Sequence, residues 1–201
     1  MPDPRAQAVR EFWFEGMDAG GVVPQETRAN WFKSDPAFDD EICERFGALL
    51  KEAESGGLTS WESNARDALS LILVLDQFTR NIYRDDARAF AQDPRAQALT
   101  LACMEAEGDA GLHLAERHFL YLPLMHAEDQ VLQHRSVACY QKLAHEAPPG
   151  EQEIYDFVLE FAVKHKALID RFGRFPHRNE VLGRKSTPEE VAFLENEGRG
   201  F

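Results

Sequence analysis

The sequence predicts an all-α fold, a compact array of seven to nine antiparallel helices joined by short turns. Three observations predict it. Apolar residues recur at spacings of three and four along most of the chain. Helix-start signals repeat: Asp35-Pro36, Asp93-Pro94 and Thr187-Pro188 each set an N-cap residue before a proline at the first helical position. Period-two alternation of β-branched residues is almost absent, so no strand is expected.

Taken in order, Phe38, Ile42, Phe46, Leu49, Leu50 and Ala53 line one face of a helix that starts at Pro36 and stops at Gly56-Gly57. From Asn64 the apolar residues Ala65, Ala68, Leu69, Leu71 and Ile72 to Leu75 leave little polar face, which marks the most buried helix. A further helix is expected from Pro94 towards Glu107, ending at Gly108. The next begins near Leu112, and Pro123 predicts a kink or break between Tyr121 and Leu124 because proline removes a backbone donor. The pattern resumes through Val131, Leu132 and Leu143 and stops before Pro148-Pro149. Ile154, Phe157, Phe161, His165, Leu168 and Ile169 form one more long face ending near Phe172-Gly173. Thr187-Pro188-Glu189-Glu190 reads as a capping box opening the last helix. Residues 1–201 are expected to form a single domain, with 195–201 a frayed tail.

Charge and composition narrow the function classes. A net charge of −13 argues against nucleic acid and against an anionic membrane surface. Within that acidity lies a basic island: residues 171–185 hold Arg171, Arg174, Arg178, Arg184 and Lys185 against Glu180 alone. Cys43, Cys103 and Cys139 are far apart and lie in apolar helical patterns, so buried free thiols are expected rather than disulfides or a zinc knuckle. With no signal-peptide profile and no membrane-length apolar run, a cytoplasmic protein is expected. The aromatic groups Phe12-Trp13-Phe14, Trp31-Phe32 and Trp61 are read as core, with a ligand-stacking platform as the alternative.

One phrase occurs twice. Phe78-Thr79-Arg80-Asn81 and Phe175-Pro176-His177-Arg178-Asn179 each set an Arg-Asn pair behind a phenylalanine where an apolar helix gives way to a polar turn. A guanidinium beside an amide suits a carboxylate or phosphate, and it suits equally the tying of two helix ends. Three polar clusters interrupt apolar helices and carry the candidate chemistry: Asp76, Gln77, Arg80, Asn81, Tyr83 and Arg84; Glu116, Arg117, His118, Tyr121, His126, Glu128, Asp129, Gln133 and His134; and His165, Asp170, Arg171, Arg174, His177, Arg178 and Asn179. In the leading reading these line one pocket for an anionic small molecule or a peptide carboxylate. Arg80, Arg84, Arg174 and Arg178 donate, Asn81 and Asn179 orient, and His126, His177 and Tyr83 form the rim. Glu128 and Asp129 hold the arginines. Two other readings use the same residues. An enzyme would take His126 or His177 as acid-base, oriented by Glu128 or Asp129. In the third reading the Arg-Asn phrases only lock helix ends, and a protein partner meets another surface. No metal or cofactor is expected: His126 and His134 stand two turns apart, about 12 Å of helix rise, too far to share an ion. No Gly-x-Ser-x-Gly elbow or phosphate-binding glycine loop occurs.

Four stretches also carry a resemblance: Leu75-Asp76-Gln77-Phe78-Thr79-Arg80-Asn81-Ile82-Tyr83-Arg84, Ala89-Phe90-Ala91-Gln92-Asp93-Pro94, Tyr121-Leu122-Pro123-Leu124-Met125-His126-Ala127-Glu128-Asp129, and Arg171-Phe172-Gly173-Arg174-Phe175-Pro176-His177-Arg178-Asn179. With Leu182-Gly183-Arg184-Lys185-Ser186-Thr187-Pro188-Glu189-Glu190, they resemble the bacterial family called domain of unknown function 924. The resemblance implies a tetratricopeptide-like helical fold and no established reaction. This chain departs from the family pattern at Thr79, usually proline, which is expected to loosen that turn. It departs again at Ala127, usually serine.

Overall fold

A computed structural model describes residues 3–31 and 33–198. Phe32 of the Trp31-Phe32 pair, and residues 199–201 of the expected tail, lie outside the described residues. Among the described residues the chain is all-helical, with no strand. Nine helices carry it: α1 (Pro4–Trp13), α2 (Gln25–Trp31), α3 (Pro36–Glu54), α4 (65–82), α5 (Asp93–Glu105), α6 (Leu114–Met125), α7 (Gln130–Glu146), α8 (Gln152–Phe172) and α9 (Pro188–Asn196). Contacts divide the chain into two compact units. The first runs to Arg84 and includes Arg88–Pro123; the second comprises Asp85–Ala87 and the chain from Leu124 onward.

The first unit is organised by α4. Asn64 caps it by accepting from the Asp67 N–H, and residues 67–79 are buried without interruption. The helix is α over Ala65–Ile72, widens to a π-helical segment over Leu73–Phe78, and closes as α over Thr79–Ile82. Thr79 therefore loosens no turn. It is fully buried inside a continuous helix, and its hydroxyl donates to the Leu75 carbonyl at 2.9 Å. α3, capped by Asp35, packs on the π segment with Phe46 stacked on Phe78 at 5.0 Å. Phe12, Trp13, Trp31, Phe38 and Phe119 extend that aromatic core. Trp61, 1% exposed, donates its indole N–H to Asp3. The core reading of the described aromatics holds.

Two helix ends differ from expectation. Asp93 does not cap α5; the helix begins at Asp93 itself, and its buried carboxylate pairs with Arg80. The left-handed residue after α5 is Glu107, at φ +54, rather than a glycine. Gly108 follows because a Cβ there would meet Cys103 Sγ at 2.9 Å and Ala65 Cβ at 3.0 Å. Pro123 does not end α6, which continues to Met125. Cys103 and Cys139 are buried thiols as expected, whereas Cys43 is exposed, on the outer face of α3.

In the second unit α7 and α8 form a helical hairpin across the short turn at 147–151, the most extensive helix pairing in the chain. Asp129 caps α7 by accepting from the Leu132 N–H. Gly173, at φ +70, closes α8 in the left-handed conformation that glycine adopts without penalty. The capping box of α9 forms in both directions between Thr187 and Glu190. That helix continues through Glu195 to Asn196, two residues into the expected tail. Leu168, Ile169, Phe175 and Phe193 form one core cluster here, and Tyr140, Leu143 and Ala162 are also fully buried.

Candidate functional site

The first Arg-Asn phrase sits on the last turns of α4, directly after the π segment. π segments widen the helix by one residue per turn and re-aim the side chains that follow. Arg80 donates to the Asp76 carbonyl at 2.6 Å, and its guanidinium lies 2.9 Å from Asp93 Oδ1 and 3.2 Å from Asp76 Oδ1. Asp76, 1% exposed, also accepts from Gln77 at 2.6 Å. Burial alone would make the Arg80 charge costly; the Asp76 and Asp93 carboxylates outweigh it and raise its pKa. Asn81 and Arg84 converge on one acceptor, Asp39 of α3, at 2.7 Å for the amide and 2.8 Å for each of two guanidinium nitrogens. The Tyr83 hydroxyl is 3.2 Å from Glu54, and Arg88 lies over its ring. The phrase thus recognises a carboxylate in the forked manner its composition predicts, and the carboxylate belongs to the protein.

The second phrase forms a denser constellation. Phe175 donates its N–H to Glu128 Oε1 at 2.8 Å, and Arg184 grips the same carboxylate through two nitrogens at 2.5 and 2.9 Å. Asn179 orients that grip, accepting from Arg184 Nε at 3.0 Å and donating to Ser186. Burial would raise the Glu128 pKa, but the Arg184 and Phe175 hydrogen bonds, with the nearby charges of Arg184 and Arg178, hold it below the ordinary carboxylate range. Arg174 is paired elsewhere, through two nitrogens to Glu190 of α9 at 2.6 and 2.8 Å. Asp129 serves α7 as its cap.

Around the buried Phe175 ring gather the remaining predicted groups. The Arg178 guanidinium lies over it at 4.5 Å, the His177 ring is 5.6 Å away, and His165 meets its edge at 5.5 Å. His126 stands 6.3 Å from His165. His165 stands in the third polar cluster read from sequence, where it has no assigned part in the pocket. Its Nδ1 lies 2.8 Å from the Phe161 carbonyl, and a carbonyl can only accept, so Nδ1 carries the proton and Nε2 keeps its lone pair. Burial, followed by His126, lowers its pKa to about 3, so the ring is neutral at physiological pH. Arg184 and Arg95 are residues that sequence reasoning left out of its candidate set. Arg95 donates to the Ala53 and Gly57 carbonyls and closes the C-terminal end of α3.

Among the described residues no group of three or more His, Cys, Asp or Glu side chains is placed to hold a metal. No helix among them is long and apolar enough to cross a membrane.

The chain belongs to the family described as bacterial protein of unknown function (DUF924), whose model matches residues 9–198. It is similar in structure to ATU0120, a protein of unknown function from Agrobacterium tumefaciens, with a TM-score of 0.81 and 34% sequence identity. That likeness covers 96% of this chain and 97% of the other. No curated protein matches.

Proposed function

We propose that this protein binds an anionic small molecule or a peptide carboxylate, and that His126, His177 and Arg178 of the second unit receive it. One observation carries the reading: a guanidinium and two imidazoles gather about the Phe175 ring, one of them fixed in a single tautomer, and a third imidazole, His126, stands 6.3 Å from His165. Two guanidinium groups, Arg178 and Arg184, act on the one carboxylate of Glu128, which supports the reception of an anion here. Arg80, Asn81, Arg84 and Arg174 take the supporting part, since their donors already serve Asp93, Asp39 and Glu190. That pairing also favours a second reading, in which both Arg-Asn phrases act only as locks and a protein partner meets another surface. The proposal extends to a cytoplasmic protein with tetratricopeptide-like helix pairs, supported by three free thiols and the α7–α8 hairpin.

A thermal-shift screen against carboxylates, phosphates and nucleotides, run on wild type and Arg178→Ala, tests it. A ligand at a hundred times its Kd adds about 2.7 kcal/mol, a Tm rise of about 5–10 °C for a chain of this size. That rise should vanish in the variant. If the wild type responds to no compound and Arg178→Ala loses about 3 kcal/mol or more, the lock reading replaces the binding one.

A further inference from the structure

The first unit contains a cleft of about 590 Å³ that neither Arg-Asn phrase lines. Arg10, Glu11, Phe14, Met17, Arg66 and Glu116 line it. Its volume lies within the range of small-molecule sites. Its deepest charge is Glu116 in the first turn of α6, only 4% exposed. Glu116 Oε2 accepts from the His113 N–H at 2.9 Å, and among the described residues no donor reaches Oε1 and no cation pairs with the carboxylate. A buried carboxylate without a counter-charge is costly unless a ligand supplies one.

The opposite charge is also present and held in place. Arg10 is fixed by its Nη1, which donates to the Arg66 carbonyl at 2.9 Å, Ser70 Oγ at 2.6 Å and Asp67 Oδ1 at 3.2 Å. That leaves its Nε and Nη2 donors unused among the described residues. The Arg66 guanidinium is exposed and has no carboxylate partner among them. The cleft is therefore lined by the buried Glu116 carboxylate, an exposed Glu11 carboxylate and two guanidinium groups, with Phe14 and Met17 as apolar lining. A simple anion would leave Glu116 unmatched, and a simple cation would leave Arg66 unmatched and the Nε and Nη2 donors of Arg10 unused.

We propose that this cleft binds a small zwitterion with a primary ammonium and a carboxylate, the ammonium on Glu116 and the carboxylate on Arg66 and Arg10. A free amino acid and a short peptide share that chemistry. Isothermal titration calorimetry of the full chain with the twenty amino acids, dialanine and trialanine separates the two sources, with propionate and ethylamine as single-charge controls. At least one zwitterion should bind at least tenfold more tightly than either control. Glu116→Gln retains an oxygen for the His113 N–H and removes only the charge, and it should weaken binding at least tenfold, as should Arg66→Ala. Glu116→Gln and Arg66→Ala should keep any thermal shift that depends on Arg178, which keeps this site distinct from the one proposed above. The inference is overturned if no zwitterion binds up to 10 mM, if propionate binds as well as the amino acids, or if both cleft variants retain wild-type affinity.

Discussion

Arg84 and Arg174 each hold a carboxylate through two nitrogens, yet truncation should cost them differently. The Arg84 side chain is 40% exposed, so Arg84→Ala should lose at most about 1 kcal/mol. Glu190 is 2% exposed, so Arg174→Ala strands a buried carboxylate and should lose more stability than Arg84→Ala. Urea denaturation of the two variants decides, and equal losses would contradict the argument from burial. At this scale the sequence makes the donors legible and leaves the acceptors hidden. The fork of Arg84 and Asn81 is visible in one phrase, but Asp39 lies on another helix some forty residues earlier, and no local pattern joins them. The role of His165 is hidden for a related reason. Its role is set by the Phe161 carbonyl and by rings from other segments. Its imidazole should remain neutral with the proton on Nδ1 from pH 8 to pH 5; a nitrogen-15 correlation spectrum showing the other tautomer, or a charged ring at pH 6, would contradict the assignment.

Helices announced by local chemistry were the ones legible in sequence. Asp35, Asn64, Thr187 and Gly173 close or open helices where their side chains and φ angles demand it. Elements fixed by tertiary packing were not legible. The π segment over Leu73–Phe78 has no signature in a run of buried apolar residues, and Asp93 was drawn from a capping role by Arg80. Pro123 belongs with these: α6, buried from 115 to 125, stays helical through a residue that cannot donate. The Phe119 carbonyl, four residues earlier, lacks its helical donor as a result. Pro123→Ala restores that donor and removes a residue poorly suited to a helix interior, offset by the greater freedom of the unfolded chain. The variant should gain about 1–2 kcal/mol by chemical denaturation. A loss would mean that the proline ring fills space the helix needs.

For the molecule as a whole, the all-helical class and family membership follow from the sequence. The division into two contact units does not, because hydrophobic periodicity records which face is buried and not against which element. One whole-molecule property draws on groups in both the core and the locks: stability against acid. The His165 pKa falls from 6.5 to about 3, mainly through burial, with His126, His177 and Arg178 as the other groups that disfavour its charge. The Glu190 pKa falls from 4.5 to about 2, chiefly through its hydrogen bond from Arg174. Both groups bind protons less readily folded than unfolded, so the unfolded state gains protons first and stability must fall as pH falls. His165 contributes in full above about pH 6.5, and its contribution is lost from there towards pH 3. Glu190 contributes in full above about pH 4.5, and its contribution is lost from there towards pH 2. Unfolding free energies measured in urea should therefore decline between pH 6.5 and 4.5 at up to about 1.4 kcal/mol per pH unit from the single proton on His165. The decline should steepen below pH 4.5. His165→Asn keeps a donor for the Phe161 carbonyl and removes the titration, so it should flatten the upper limb and leave the lower one intact. An upper limb of equal slope in that variant would move the acid sensitivity to other histidines, and a stability that rises on acidification would reverse the sign of the linkage.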